Sequence, residues 1–577
     1  MDPMSIQETL NEQRSGALDT VLAELRRGES VWAATPVARR RELLAQVHAL
    51  TGRYAQAWVD AAAVIKGLPA GSPLLGEEWI SGPYSVLSGL TVLIDSLKAL
   101  EEGRSPVDGF SFGQAPGHRV TVKGFPHTLF DRILLSGFSA EVWMPPGVDE
   151  ATVRARAGLA ERKPEVTQGI GVVLGAGNIT SIPPMDVIYE LYANNQVVVL
   201  KLNPITDPLL AVFTQIFEPL IGLGVLRIVT GGADVGTYLV HHPDVAHVHM
   251  TGSALTHDAI VFGTGPDGAQ RKAENRPLLT KEITSELGGV SPTIVLPGAW
   301  SKADLRFQAE HLVTQRLHNG GYNCIAGQVA IVSSDWAQKD EFLAEVRAAL
   351  TRAPARPAYY PGSDQRVSGA LAEYPEAERL GPDQGRVLVQ PVDPKTREYL
   401  FNTEFFAPVL GVIELPGSGQ EFLDAAVETA NDDILGTLGV NLIARPSTLK
   451  ELGAGFEAAL ARLRYGCIAV NAWTGVGFQS PTAMWGAFPG HTIDDVQSGI
   501  GVVHNALLLE NPERTVVRGP FRPVPRSLAN GEFSIMPRPP WFVTNRTANL
   551  TGRALTEFAA RPGWLRLPKI LLSALRG

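Results

Sequence analysis

Apolar positions recur at helical spacing between residues 17 and 68, at Leu22, Leu25, Val31, Leu43, Leu44, Val47 and Leu50, with Ala, Arg and Glu between them. That spacing predicts a helical opening to the chain. From about 105 to 165 the period is lost and Gly and Pro become frequent around an aromatic and aliphatic patch from Phe125 to Pro146. This stretch reads as an excursion from the main fold. Beyond it, short apolar runs alternate with longer amphipathic stretches: Gly171–Leu174, Val197–Leu200, Arg227–Thr230, Ala246–Met250 and Thr293–Leu296. The runs are β-branched and nearly unbroken, as strands covered by helices on both faces must be, so the rhythm predicts a doubly wound α/β fold with a parallel sheet. Such sheets hold ligands at the carboxyl ends of their strands. A second α/β stretch runs from about 290 to 500, and the tail after it has no evident place in either.

With 577 residues the chain exceeds one compact core, and two or three domains are expected. Apolar residues make up 45% and charged residues 19%, an ordinary globular balance. The net charge of -9 gives no attraction to nucleic acid, which is excluded as a partner. The two cysteines, Cys324 and Cys467, cannot form a stapling framework and suit a reducing compartment. With no cationic start and apolar run at the N-terminus, the cytoplasm is the expected location. No stretch reaches the roughly 18 apolar residues of a membrane span.

Three short segments carry candidate chemistry. In His318–Gln328, Cys324 follows a helical stretch in a loop of small residues, which leaves a substrate room to reach the sulfur. A cysteine alone is most often a small core hydrophobe. In Ser285-Glu286-Leu287-Gly288-Gly289 a carboxylate precedes paired glycines that let backbone approach a ligand. An acid near a thiol can activate water. In Gly175-Ala176-Gly177-Asn178, directly after a predicted strand, an amide can point at developing charge.

Together with others in order, these segments resemble the aldehyde dehydrogenase superfamily over roughly residues 165–500. Asn178 stands where the family has its strand-following asparagine, and Lys201 ends a strand like its cofactor-binding lysine. Met250-Thr251-Gly252-Ser253 is similar to the Phe-Thr-Gly-Ser turn, Glu286–Gly289 to the general-base motif, and Asn323-Cys324 to the nucleophile loop. Thr403–Val409 resembles the Glu-Ile-Phe-Gly-Pro-Val segment, and Ala469–Asn471 and Gln479–Pro481 the closing motifs.

The resemblance implies a Rossmann-like cofactor domain, an α/β catalytic domain and an oligomerisation segment. It divides the chain into a dinucleotide-binding domain (1–104 and 166–287), an inserted segment (105–165), a catalytic domain (288–500) and a C-terminal extension (501–577). It implies NAD or NADP as cofactor, an aldehyde as substrate, and a homo-oligomer, dimer or tetramer. It assigns Cys324 as covalent nucleophile, Asn178 as oxyanion donor and Glu286 as general base. Lys201, Glu404 and Phe406 would hold ribose and nicotinamide, and Gly252 and Ser253 the pyrophosphate at a helix N-terminus.

Several positions depart from the family pattern. His257 replaces a glycine in the phosphate turn, and Pro204 stands where an acid often binds the adenosine ribose, so NADP is expected to be accepted. Gly177 and Val476 replace aromatic residues, which implies a wide substrate tunnel. The final residues from Asn545 carry six basic side chains against Glu557 alone, among apolar positions from Leu555 to Leu575. Such a tail is expected to pack on its own protein or a partner subunit; the alternative is an anionic membrane interface, which would suit a lipophilic aldehyde. Within the superfamily the rival activity is acyl transfer to coenzyme A, which needs no water-activating glutamate. A rival of another class is an inactive scaffold.

Overall fold

The computed structural model describes residues 3–577 apart from Pro391, Asp393 and Pro394, with side chains described from Arg14 onward. The opening is helical, as its spacing predicts, in two long helices, Pro3–Ala33 and Val37–Ile65. The predicted apolar runs are strands. Ile170–Leu174, Val197–Lys201, Leu226–Val229, Val245–Gly252 and Glu282–Leu287 pair in parallel within one six-stranded sheet, which the short antiparallel strand Gly499–Ile500 closes. Val197, Val198, Val199 and Leu200 have no exposed surface. A β-branched run survives there because helices cover both faces and no position has to serve solvent. The core of this sheet takes in Leu22, Leu43 and Val47 from the opening helices.

The second sheet has eleven strands. Its centre is parallel: Cys467–Val470, Gly439–Ile443, Thr293–Val295, Val329–Ser333, Val409–Leu415 and Arg386–Val389 lie side by side. Residues 105–165, which read as irregular, contain three antiparallel strands, Ser111–Ala115, Arg119–Phe125 and Ser139–Trp143. They join the second sheet through Arg514–Arg518, which pairs antiparallel with Ser139–Trp143 and parallel with Cys467–Val470. Residues beyond 500 therefore supply an internal strand.

After that strand the chain runs back along the helix Lys302–Leu317, where Phe542 stacks on Phe307 and His311 at 5.2 and 5.5 Å. It then forms two terminal helices, Ala548–Ala560 and Leu567–Ala574. The first seats on the short helix Leu75–Trp79 with almost no gap: a Cβ on Gly76 would stand 2.4 Å from the carbonyl carbon of Ala548. Trp79 Nε1 donates to Asn549 Oδ1 at 3.0 Å across the same contact. Ala554, Phe558, Leu567 and Ile570 bury their apolar faces against Phe130, Ile133 and Leu134, which belong to the helix Leu129–Leu134 of the 105–165 segment. The two stretches without an evident place in the sequence pack on each other.

Candidate functional site

The helix Lys302–Leu317 begins with a capping box, in which Ser301 Oγ accepts from Asp304 N and Asp304 Oδ2 accepts from Ser301 N. It ends at His318, where Asn319 (φ 54°), Gly320 (φ 71°) and Gly321 (φ 84°) turn the chain through the left-handed region. Only glycine adopts that backbone freely, with asparagine the most tolerant of the rest. The turn delivers Cys324 to the floor of a cavity.

Cys324 Sγ lies 2.9 Å from Glu286 Oε1, so the thiol donates to the carboxylate. Glu286 is the penultimate residue of the strand Glu282–Leu287 and is buried, and its Oε1 also accepts from Trp485 Nε1 at 3.0 Å. Its other oxygen, also buried, has no hydrogen-bond partner among the described residues. Burial lifts the Glu286 carboxyl above its ordinary value, against the pull of the Cys324 and Trp485 hydrogen bonds. Burial first, then the neighbouring Glu286 charge, pushes the Cys324 thiol well up. The sulfur is thus a neutral thiol beside a carboxylate that can take its proton.

Asn178 is buried, and its Nδ2 donates to the carbonyl of Tyr322 at 2.9 Å, which keeps its amide against the nucleophile loop. A network that the sequence did not announce holds that loop. Asn319 Nδ2 donates to the carbonyls of Asn178 and Tyr322, each at 3.1 Å. Its Oδ1 accepts from Lys66 Nζ at 2.9 Å and from Tyr359 OH at 3.1 Å, and its backbone N–H donates to Glu77 Oε2 at 2.8 Å. Lys66 pairs with Glu78 at 2.9 Å, both without meaningful exposure, and Glu77 pairs with Arg356. Burial presses the Lys66 amine down and its neighbour Glu78 opposes this. Burial raises the Glu77 carboxyl, and the Arg356 guanidinium with the Asn319 N–H brings it below its ordinary value.

Lys201, Gly252 and Ser253 lie at the carboxyl ends of parallel strands. Lys201 ends its strand and is buried, and its side-chain amine makes no hydrogen bond with any described residue; burial lowers its pKa. Gly252 and Ser253 are exposed where the strand Val245–Gly252 meets the helix Ala254–Val261, and Ser253 Oγ caps that helix by accepting from Thr256 N at 3.2 Å. His257 points into the protein, fully buried. Pro204 opens a turn capped by Asn203 Oδ1.

The Glu404 carboxylate lies over Gly288, two residues past Glu286; a Cβ there would stand 1.8 Å from Glu404 Oε1. Burial pushes the Glu404 carboxyl up to about 8, opposed by Arg316 and Arg366. Phe406 (φ 45°) packs against Tyr322 and Tyr360, with ring centres 5.8 and 4.9 Å away. An amine and a carboxylate left without side-chain hydrogen-bond partners among the described residues, and an exposed helix start, suit a ligand with hydroxyl and phosphate groups.

Cys324 faces a cavity of about 310 Å³. Val476 lines it, as expected of a tunnel residue, whereas Gly177 does not; a Cβ on Gly177 would press on Asn203.

The aldehyde dehydrogenase family model matches residues 169–381. Among similar sequences, 1-pyrroline-5-carboxylate dehydrogenase of Geobacillus kaustophilus is 27% identical over 348 residues, 55% of this chain and 62% of that protein. N-succinylglutamate 5-semialdehyde dehydrogenase of Sphingopyxis alaskensis is 28% identical over 349 residues, 55% of this chain and 67% of that one. The chain thus spans about three-fifths of the length of the first relatives it matches. Among solved structures, aldehyde dehydrogenase C of Pseudomonas syringae in complex with NAD+ and octanal is 18% identical, covers 88% of this chain and 90% of its own, and has a TM-score of 0.58. Gamma-glutamyl-gamma-aminobutyraldehyde dehydrogenase of Burkholderia cenocepacia is 20% identical with 87% and 88% coverage and a TM-score of 0.57. These structures share the fold.

Proposed function

The chain is a member of the aldehyde dehydrogenase superfamily, and on that premise we propose that it oxidises an aldehyde to a carboxylic acid through a thioester on Cys324. The observation that carries the reading is the 2.9 Å contact between Cys324 Sγ and Glu286 Oε1. Glu286 takes the thiol proton, and the thiolate attacks the aldehyde carbon. The Asn178 amide and the Cys324 N–H hold the oxygen as it gains charge. A nicotinamide dinucleotide, NAD or NADP, would supply the hydride acceptor when bound. Glu286 passes its first proton to solvent, takes a second from water, and the resulting hydroxide cleaves the thioester. Acid leaves and Cys324 is free again. Lys201 and Glu404 would hold the ribose hydroxyls, Phe406 the nicotinamide, and Gly252 and Ser253 the pyrophosphate. Pro204 carries no charge to repel a 2′-phosphate, so NADP is accepted.

Glu286 aimed at the sulfur favours hydrolysis over acyl transfer to coenzyme A, and the assembled site argues against an inactive scaffold. The free thiols Cys324 and Cys467 suit the cytoplasm. A homo-oligomer forms through the edge strand Ser111–Ala115, whose outer side pairs with no strand among the described residues. The terminal helices keep Trp564, Leu565, Leu572 and Leu575 exposed beside Arg561, Arg566, Lys569 and Arg576, a face suited to peripheral contact with anionic lipid. The deciding experiment is product stoichiometry without coenzyme A, run with each cofactor. One acid and one reduced cofactor per aldehyde is expected; a strict requirement for coenzyme A, or no reduction with any aldehyde, overturns the reading.

A further inference from the structure

The wall of the Cys324 cavity is built from three parts of the chain that lie far apart in sequence. Next to the sulfur it is formed by Phe125, Trp473, Val476 and Phe478. Further out, the helix Leu129–Leu134 contributes Phe130, Ile133 and Leu134. The terminal helices contribute Leu555, Phe558, Ile570 and Leu571. Phe130 meets the edge of Phe558 with ring centres 5.1 Å apart and tilts on Trp564 at 4.8 Å, which joins the two outer walls. The tight seating of Gly76 on Ala548 fixes the terminal helices in place, so these walls belong to the folded chain.

Among the described residues, no lysine or arginine lines this cavity. Its few ionisable groups are poorly suited to grip a charged substrate. Asp131 Oδ2 accepts from the backbone N–H groups of His127 and Thr128, and the His127 ring stacks on Phe110 with ring centres 4.1 Å apart. Asp95 lies partly buried, and its desolvation favours the neutral acid. His318 is neutral, driven down to about 4 by burial. A carboxylate on the substrate would find no lysine or arginine, and beside the sulfur the walls Phe125, Trp473, Val476 and Phe478 would desolvate any charged group without compensation. An apolar chain would lose only its contact with water.

Resting on the aldehyde-oxidising reading of Cys324, we propose that the substrate is a neutral aldehyde on an extended apolar chain, housed in a tunnel whose outer wall is the C-terminal extension. This class differs from the acidic semialdehydes in the names of the relatives above. The terminal helices act on specificity, since their side chains meet the substrate's far end.

The test is a series of unbranched aldehydes from propanal to decanal, with glutamate semialdehyde and 4-aminobutanal as charged probes. Each methylene buried is worth about a fourfold gain in kcat/KM, so decanal is expected to exceed propanal by at least a hundredfold and both charged probes by more. Leu571→Trp, which fills the outer tunnel, should lower the decanal-to-propanal ratio at least tenfold; Leu555→Phe is the second variant if the first does not fold. Calorimetry should show decanoate binding to the cofactor-free protein with butyrate far weaker. A flat chain-length profile, or preference for either charged probe, overturns the proposal. Decanoate binding with no aldehyde oxidised at any length overturns the oxidation reading instead and leaves the apolar site standing.

Discussion

Glu286→Gln keeps the shape of the side chain and an oxygen for Trp485 Nε1, and removes the charge and the basicity. The structure gives Glu286 two tasks, because its Oε1 lies 2.9 Å from the Cys324 sulfur and the same carboxylate must later deprotonate water. Losing a positioned general base costs about 10²–10⁴-fold in rate, or about 2.7–5.5 kcal/mol of barrier. The loss falls on thioester hydrolysis, where among the described residues no other acid or base hydrogen-bonds the sulfur. Stopped-flow absorbance should therefore show about one equivalent of reduced cofactor per site, then turnover slowed by at least a hundredfold. The burst itself is slower than in the parent, since the thiol proton has lost its acceptor. A second readout separates the two tasks. The Glu286 charge helps to push the thiol up, so in the variant the pH profile of Cys324 alkylation by iodoacetamide should shift to lower pH. Turnover near the parent rate with no burst would refute the reasoning and require another base.

Lys66→Met leaves Glu78 buried without its partner, 1% and 0% exposed as the pair is, and should cost about 3–5 kcal/mol in urea denaturation; a loss below about 1 kcal/mol would contradict the buried network. Glu404 in the cofactor-free fold has its pKa raised from 4.5 to about 8, so it favours folding below pH 4.5 and that contribution is lost as pH rises toward 8. Glu404→Gln should accordingly match the parent's urea midpoint at pH 4.5 and exceed it at pH 8.5, and a difference independent of pH would count against the buried carboxylate. Cys467 is wholly buried, and its thiol sits 3.8 Å from the Thr474 carbonyl. Cys467→Ser should keep aldehyde oxidation within about twofold, measured as initial rate; its loss would assign chemistry to the wrong cysteine.

The parts of the fold that the sequence makes legible are those where burial is uniform. Val197–Leu200 reads as a strand because every position is covered and apolar. Ser111–Ala115 does not, because most of its positions are half-exposed and its burial alternates weakly. The strand Arg514–Arg518 was hidden for another reason: its arginines flank a three-residue core, Thr515–Val517, whose neighbours come from residues 139–143 and 467–470. Cys324, Glu286 and Asn178 could be found because each sits in a short local motif. Asn319 sits in such a motif too, and its neighbours Gly320 and Gly321 signal a special turn. Its partner Lys66 lies 253 positions away in a helical end with no mark of its own. The tunnel's outer wall needs the helix Leu129–Leu134 and the terminal helices in contact, a relation that periodicity within either segment cannot express.

The most direct test of the account is peptide mapping by mass spectrometry of Glu286→Gln quenched in acid after mixing with decanal and cofactor. A single acyl group is expected on Cys324, with a mass corresponding to the oxidised decanoyl thioester and Cys467 unmodified. Normal cofactor reduction without an adduct on Cys324, or an adduct on Cys467, would contradict covalent catalysis by Cys324.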